Sequence, residues 1–212
     1  MISRNIIGAV VIASILIIAI SAYFIVSTEN TSNLNHDIYI VEDEHDDART
    51  FTVMLNELMS ETEDGDWATL QLSPSYSFGV RFNNISIPDN ATLKDAYVEL
   101  FSIGTPGHTH PNCIIYCDNV DNAVDFSNLG VLDVSGRNYT FNYSTWNQTI
   151  SYGKWIKTPS IKSCIGEVIS RNNWSSGNSI AVLFVSEGYR EYSATFQNYE
   201  RGAPAKLHII WE

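Results

Sequence analysis

Hydrophobic residues follow two patterns along this chain. From Ile6 to Val26 they form a 21-residue run, IIGAVVIASILIIAISAYFIV, without one charged residue. A helix of that length is about 32 Å long, enough to cross a hydrocarbon core of roughly 30 Å. Beyond it the dominant period is two. Ser77 to Ile87 alternates up to the turn Pro88-Asp89-Asn90, and Ala96, Val98 and Leu100 share one face of the next segment, with Tyr97, Glu99 and Phe101 on the other. Cys113 to Cys117, Ser179 to Val185 and Lys206 to Trp211 read as further strands. Turn clusters at Gly104 to Gly107, Ser135-Gly136 and Gly202 to Pro204 separate them.

One stretch switches to a helical period. Ile161, Cys164, Ile165 and Val168 fall at i, i+3, i+4 and i+7, behind Thr158 as N-cap and Pro159 at the first helical position. A helix over about 158–171 is the expectation. Residues 53–63 suit either a second short helix or a strand.

The predicted organisation is a cytoplasmic N-terminus (1–5), a transmembrane helix (6–26), an acidic and polar stalk (27–42) and a mainly β ectodomain (43–212). Orientation follows from charge. Arg4 is the one basic side chain before the span, whereas residues 27–66 hold 12 acids and a single basic residue, Arg49. The positive-inside tendency therefore places the C-terminal domain outside. A cleaved signal peptide is the alternative, although its apolar core is usually shorter, about 7–15 residues. Asn-x-Ser/Thr occurs at Asn30, Asn84, Asn90, Asn138, Asn142, Asn147 and Asn173. Composition alone would give about three such sites; the roughly twofold excess fits glycosylation acceptors on an exported chain and equally fits unmodified surface Asn in Asn-rich loops.

Twenty-four acidic against 12 basic residues give a net charge of −12, which excludes the clustered cations of a nucleic-acid-binding protein. With 12% aromatic and 17% charged residues, most of the chain can bury a core. No nucleophile elbow, phosphate loop or His-Glu-x-x-His motif is present. The expectation is therefore binding or structure rather than catalysis. By residue type, Trp67, Tyr76, Trp146, Tyr152, Trp155, Tyr189, Tyr192 and Tyr199 could stack on sugars. Trp146, Tyr189 and Tyr192 lead, because polar or loop-like residues surround them.

His108, His110, Cys113 and Cys117 have the ligand types for zinc. On a strand, however, the two cysteines would sit about 13 Å apart, too far to share a metal or a direct disulfide. Buried small hydrophobes is the favoured reading of the cysteines, with a bridge from Cys164 to Cys113 or Cys117 as the alternative.

The stretches GVRFNNISIPDNATLKDAYVEL (79–100), IIYCDNVDNAVDFSN (114–128), TPSIKSCIGEVISRNNWSSGNSIAVLF (158–184) and APAKLHIIW (203–211) resemble the DNRLRE, disaggregatase-related group of extracytoplasmic, carbohydrate-binding-like domains. The resemblance covers roughly residues 43–212. It implies a jelly-roll β-sandwich, with Trp174 plugging its edge and Gly177 taking a positive φ at a helix-to-strand corner. A structural calcium on Asp46, Asp47, Asp118 and Asp121 comes with the resemblance, although Arg49 stands where the pattern usually has an acid. The leading expectation is a membrane-anchored surface module that binds glycans or partner proteins, or serves as a structural element of the envelope. The alternative is a pilin-like filament subunit that self-associates through its N-terminal helix.

Overall fold

The computed structural model describes residues 34–51, 69–88, 91–103, 110–127, 134–187 and 193–212. The expected span at 6–26, the segment 53–63, Trp67, Tyr189, Tyr192, His108, Asn30 and Asn90 all lie outside the described residues. Among the described residues, no helix is long and apolar enough to cross a membrane.

Eleven described strands run in chain order as β1 (Asn35–Ile40), β2 (Asp47–Phe51), β3 (Leu70–Leu72), β4 (Tyr76–Phe82), β5 (Leu93–Phe101), β6 (Asn112–Cys117), β7 (Ser144–Asn147), β8 (Trp155–Lys157), β9 (Ile180–Ser186), β10 (Ala194–Phe196) and β11 (Lys206–Trp211). One helix, α1 (Lys162–Ile169), lies between β8 and β9. Every pairing is antiparallel. A four-stranded sheet has the order β1-β11-β5-β8, a five-stranded sheet β2-β4-β9-β6-β7, and β3 pairs with β10. The described residues are mainly β with one α-helix, in keeping with a β-sandwich.

The alternating positions explain why these sheets pack together. Ala96, Val98 and Leu100 of β5 and Leu207 and Ile209 of β11 are wholly buried, and they share one core with Phe78, Val80, Ile115, Val182 and Phe184 of the five-stranded sheet. Phe78 stacks on Phe184 with ring centroids 4.4 Å apart. The helical stripe Ile161, Cys164, Ile165 and Val168 is buried in the same core, as its spacing predicts. Trp174 also packs there, and Gly177 takes φ 98° at the corner that follows.

Two boundaries differ from expectation. The predicted stalk (27–42) overlaps β1, which pairs residue for residue with β11, and Val41 behind it is buried. The folded β unit therefore begins at Asn35 rather than 43. Backbone pairing, aided by the Trp211 indole donating to Asp37 (2.7 Å), outweighs the polar composition that suggested a stalk. In the acidic run that follows, Glu44–Asp46 forms a 3-10 turn whose cap, Asp43, accepts the His45 N–H. The helix starts at Lys162, not at Pro159. Thr158 is drawn into the sheet instead, where its hydroxyl accepts the Val98 N–H at 3.0 Å and its own N–H donates to the Val98 carbonyl.

The central strand β9 (IAVLFVS) has its first five residues buried, on both faces. Ile180, Val182 and Phe184 face the main core, while Ala181 and Leu183 face a second cluster of Ala48, Ala123, Phe126 and Val134. Apart from Ala48 of β2, those residues belong to the excursion that leaves β6 at Asp118 and returns at Tyr139 to bridge it. Gly79 lets Phe126 lie against the sheet, because a Cβ there would stand 2.7 Å from its ring. Arg137 closes the excursion. Its guanidinium donates to Asp118 (3.0 Å) and to the Val124 and Asp125 carbonyls, and it lies 4.1 Å from the centroid of the Phe126 ring.

Removing one partner of such a buried pair costs about 3–5 kcal/mol. Arg137→Ala is therefore expected to lose stability of that order in denaturant unfolding. A loss below about 1 kcal/mol would show that the excursion is held without it.

Candidate functional site

The residues after the excursion form the most distinctive surface. β7 alternates, and Trp146 points inward. It is fully buried, stacking on Phe196 (5.7 Å) and tilted against Phe184 (6.2 Å). The expectation that Trp146 binds a ligand is thus corrected: polar neighbours in sequence do not prevent every second residue of a strand from facing the core. The outward aromatics are its near neighbours. Phe141 is 88% exposed and Tyr143 56%. Tyr116 of β6 stacks on Tyr139 (4.7 Å, 11°) and lies 5.7 Å from Tyr143. Tyr143 stands three positions before Trp146, an odd offset that puts it on the opposite, outward face of a period-two segment.

An exposed Phe matters most when its backbone is held. Glu167 of α1 accepts the Phe141 N–H, the Asn142 N–H and the Asn142 side-chain amide, each at 2.8 Å. The Thr140 hydroxyl accepts the Cys117 N–H at 3.1 Å and donates to the Asn142 carbonyl at 2.8 Å. Partial burial works to raise the Glu167 pKa, but the Asn142 and Phe141 donors and Arg171 outweigh it and hold the carboxyl below its usual range. The 140–143 tip is thus a preorganised turn that presents an apolar ring to solvent.

The other aromatic candidates are dispersed. Trp155 stands at the edge of the four-stranded sheet, 38% exposed, edge-on to Phe101 and with the Lys206 ammonium 3.7 Å from its ring centroid. Tyr152 and Tyr199 are exposed in turns, and Tyr76 carries Arg49 over its ring at 4.7 Å.

The four acids expected to bind calcium are not gathered. Asp46 pairs with Arg81 and accepts from Asn83 (2.6 Å), Asp118 pairs with Arg137, and Asp121 pairs with Arg171 (2.6 Å). Arginines supply the positive charge that a metal would. Among the described residues, no group of three or more His, Cys, Asp or Glu side chains is arranged to hold a metal ion. Of the zinc candidates, the His110 ring bonds Thr149 (3.1 Å) and Asn147 (2.7 Å).

Asp47 alone of the four lacks an arginine. It is buried, accepts the Tyr199 N–H at 2.9 Å, and is pushed up to about 7 by burial, with Glu200 and Asp46 adding to the effect.

The described sequons are all exposed, but they differ in freedom. Asn142 is tied to Glu167, Asn147 to Asn112 and Asn173 to Asp121. Asn84 takes φ 54° just after β4, and Asn138 follows Arg137 at the end of the excursion.

Set against known proteins, the chain matches no family model and no curated sequence.

Two outcomes follow from this geometry. In Glu167→Gln one carboxylate oxygen becomes an amide that cannot accept, so amide exchange at Phe141 and Asn142 is expected to speed up about tenfold or more by NMR. Unchanged rates would mean that the turn holds itself. Asp47 is protonated in the fold between pH 4 and 7 while the unfolded chain is ionised. Its contribution is therefore fully present below about pH 4 and lost as pH rises through about 7. Asp47→Asn should be the more stable form at pH 8, on the order of 2–4 kcal/mol, with the difference vanishing near pH 4. Parallel pH profiles of the two proteins would contradict this assignment.

Proposed function

We propose that the protein is a membrane-anchored, extracytoplasmic jelly-roll β-sandwich that binds glycans through Tyr116, Tyr139, Phe141 and Tyr143. Anchoring rests on the uncharged 6–26 run and the acidic residues that follow it. The jelly-roll assignment draws on the resemblance to DNRLRE-type domains and on two antiparallel sheets sharing one core. The observation that carries the binding reading is the 88% exposure of Phe141 on a backbone pinned by Glu167. A sugar ring buries its apolar face on such a side chain, and the ordering cost of the loop is already met in the free protein. The exposed Asn138 and Asn142 beside it supply polar groups for hydroxyls.

The test is binding of detergent-purified full-length protein to a panel of soluble and insoluble polysaccharides. Phe141→Ala and Tyr143→Ala should each weaken binding about tenfold and leave the melting temperature within about 2 °C. Binding that survives both substitutions together would move the site elsewhere, and a blank panel would contradict the glycan reading.

One observation favours self-association as a second reading. β1 is an edge strand, and Leu34, Ile38 and Ile40 are 54%, 51% and 45% exposed beside it. Exposed apolar edges template strand pairing between chains. Filaments in electron micrographs of expressing cells would support this reading, and monomers at high concentration would count against it.

A further inference from the structure

One of the contacts that hold the edge strand β1 to its neighbour can take up protons. His36 of β1 and His208 of β11 meet on the outer face of the four-stranded sheet, Nε2 of the first 2.9 Å from Nδ1 of the second. Their ring centroids are 5.1 Å apart. His36 is exposed, whereas His208 is buried. Ile38 of β1 stands opposite His208 on one side and Tyr97 of β5 on the other. The Tyr97 ring stacks on the imidazole at 4.6 Å and 8°.

The charges facing this pair come from three strands. Glu99 of β5 places a carboxylate oxygen 3.1 Å from His208 Nε2, off the line of a straight hydrogen bond. Lys206 lies two positions back from His208 on β11, opposite Glu99. Asp95 of β5 stands opposite Ile210, the same residue that His36 faces from β1. Lys157 of β8 lies 3.2 Å from Asp95 and 3.6 Å from the centroid of the Tyr97 ring. On β1 itself the acid is Asp37, which alternates to the other face and accepts from the Trp211 indole. Glu99 thus favours one positive charge on the pair, and the two lysines disfavour a second.

We propose that His36 and His208 form a proton-operated latch on β1, closed while the pair carries at most one positive charge and open when both rings are protonated. The reason is a count of donors. Two neutral rings, or one neutral and one charged, keep a bare nitrogen that accepts from the other ring. Two imidazolium rings have donors only, so nitrogens 2.9 Å apart must separate. The sign of the pH effect agrees with this. Burial holds the His208 pKa below its usual value, with Glu99 opposing and His36 and Lys206 reinforcing the shift. The unfolded chain therefore binds this proton at higher pH than the fold does. The latch contributes fully above about pH 6.5 and is lost as pH falls through the lower folded value. None of this depends on what the aromatic turn binds.

The experiment follows the histidine rings of full-length protein in detergent by NMR from pH 8 to pH 4. Amide protection at Tyr39 and Val41, whose N–H groups point to β11, is measured alongside and corrected for intrinsic exchange. The second protonation step of the pair should fall below about pH 6.5. Protection at Tyr39 and Val41 should drop about fivefold across that step, while Val182 in the central strand stays unchanged. His36→Gln supplies a donor and an acceptor at every pH, so it should keep the protection and abolish the step. Flat protection in the wild-type protein through the second step would overturn the latch. An equal drop in His36→Gln would do the same. The wild-type titration decides the matter even where the variant fails to fold.

Discussion

The outer side of the five-stranded sheet depends on one buried ion pair. Asp118 directly follows β6, Arg137 lies 19 residues later, and their contact brings the chain back to the strand it left. Burial works to raise the Asp118 pKa and the arginine works against it. The charges are tolerable there because the guanidinium is also bonded to two carbonyls and rests on Phe126. Those same contacts cover Ala181 and Leu183, which explains how β9 can be apolar on both faces.

From this closure the candidate site follows. Tyr139 bridges to Asp118, Thr140 bonds Cys117 in both directions, and the next three residues have nowhere to go but across the end of α1. Glu167 meets them there. Two of its three short hydrogen bonds satisfy backbone N–H groups at the bend, and the third holds the Asn142 side-chain amide. The cost is an exposed Phe. Large apolar side chains held out in this way are informative, since a mobile loop could fold them back. The outer face of the four-stranded sheet is different in character. There His208 stacks on Tyr97 (4.6 Å), Lys157 lies over the same ring and Lys206 over Trp155, so the rings already have partners.

Much of the architecture was legible in the sequence because period two and period 3.6 report directly on buried faces. Ala96, Val98, Leu100 and the stripe on α1 are examples. β1 was not legible, since an edge strand with exposed Ile38 and Ile40 is held by its backbone rather than by burial. The helix start was misplaced for a related reason: Thr158 has a cap's chemistry, but the sheet claims its hydroxyl. At the site, residue type pointed to aromatics and local polarity to Trp146. The missing information was long-range. Nothing near Phe141 in the sequence announces Glu167, 26 positions away. Likewise, the acids read as calcium ligands gave no sign that Arg81, Arg137 and Arg171 would reach them.

The central claim, that the pinned aromatic turn is the surface that meets a ligand, is tested most directly by hydroxyl-radical footprinting. The full-length protein would be oxidised with and without envelope polysaccharide from the cells that produce it. The account expects oxidation of Phe141 and Tyr143 to fall several-fold on addition while Trp155 and Tyr152 stay unchanged. Protection centred on Trp155 and Ile38, with Phe141 and Tyr143 still fully reactive, would contradict it.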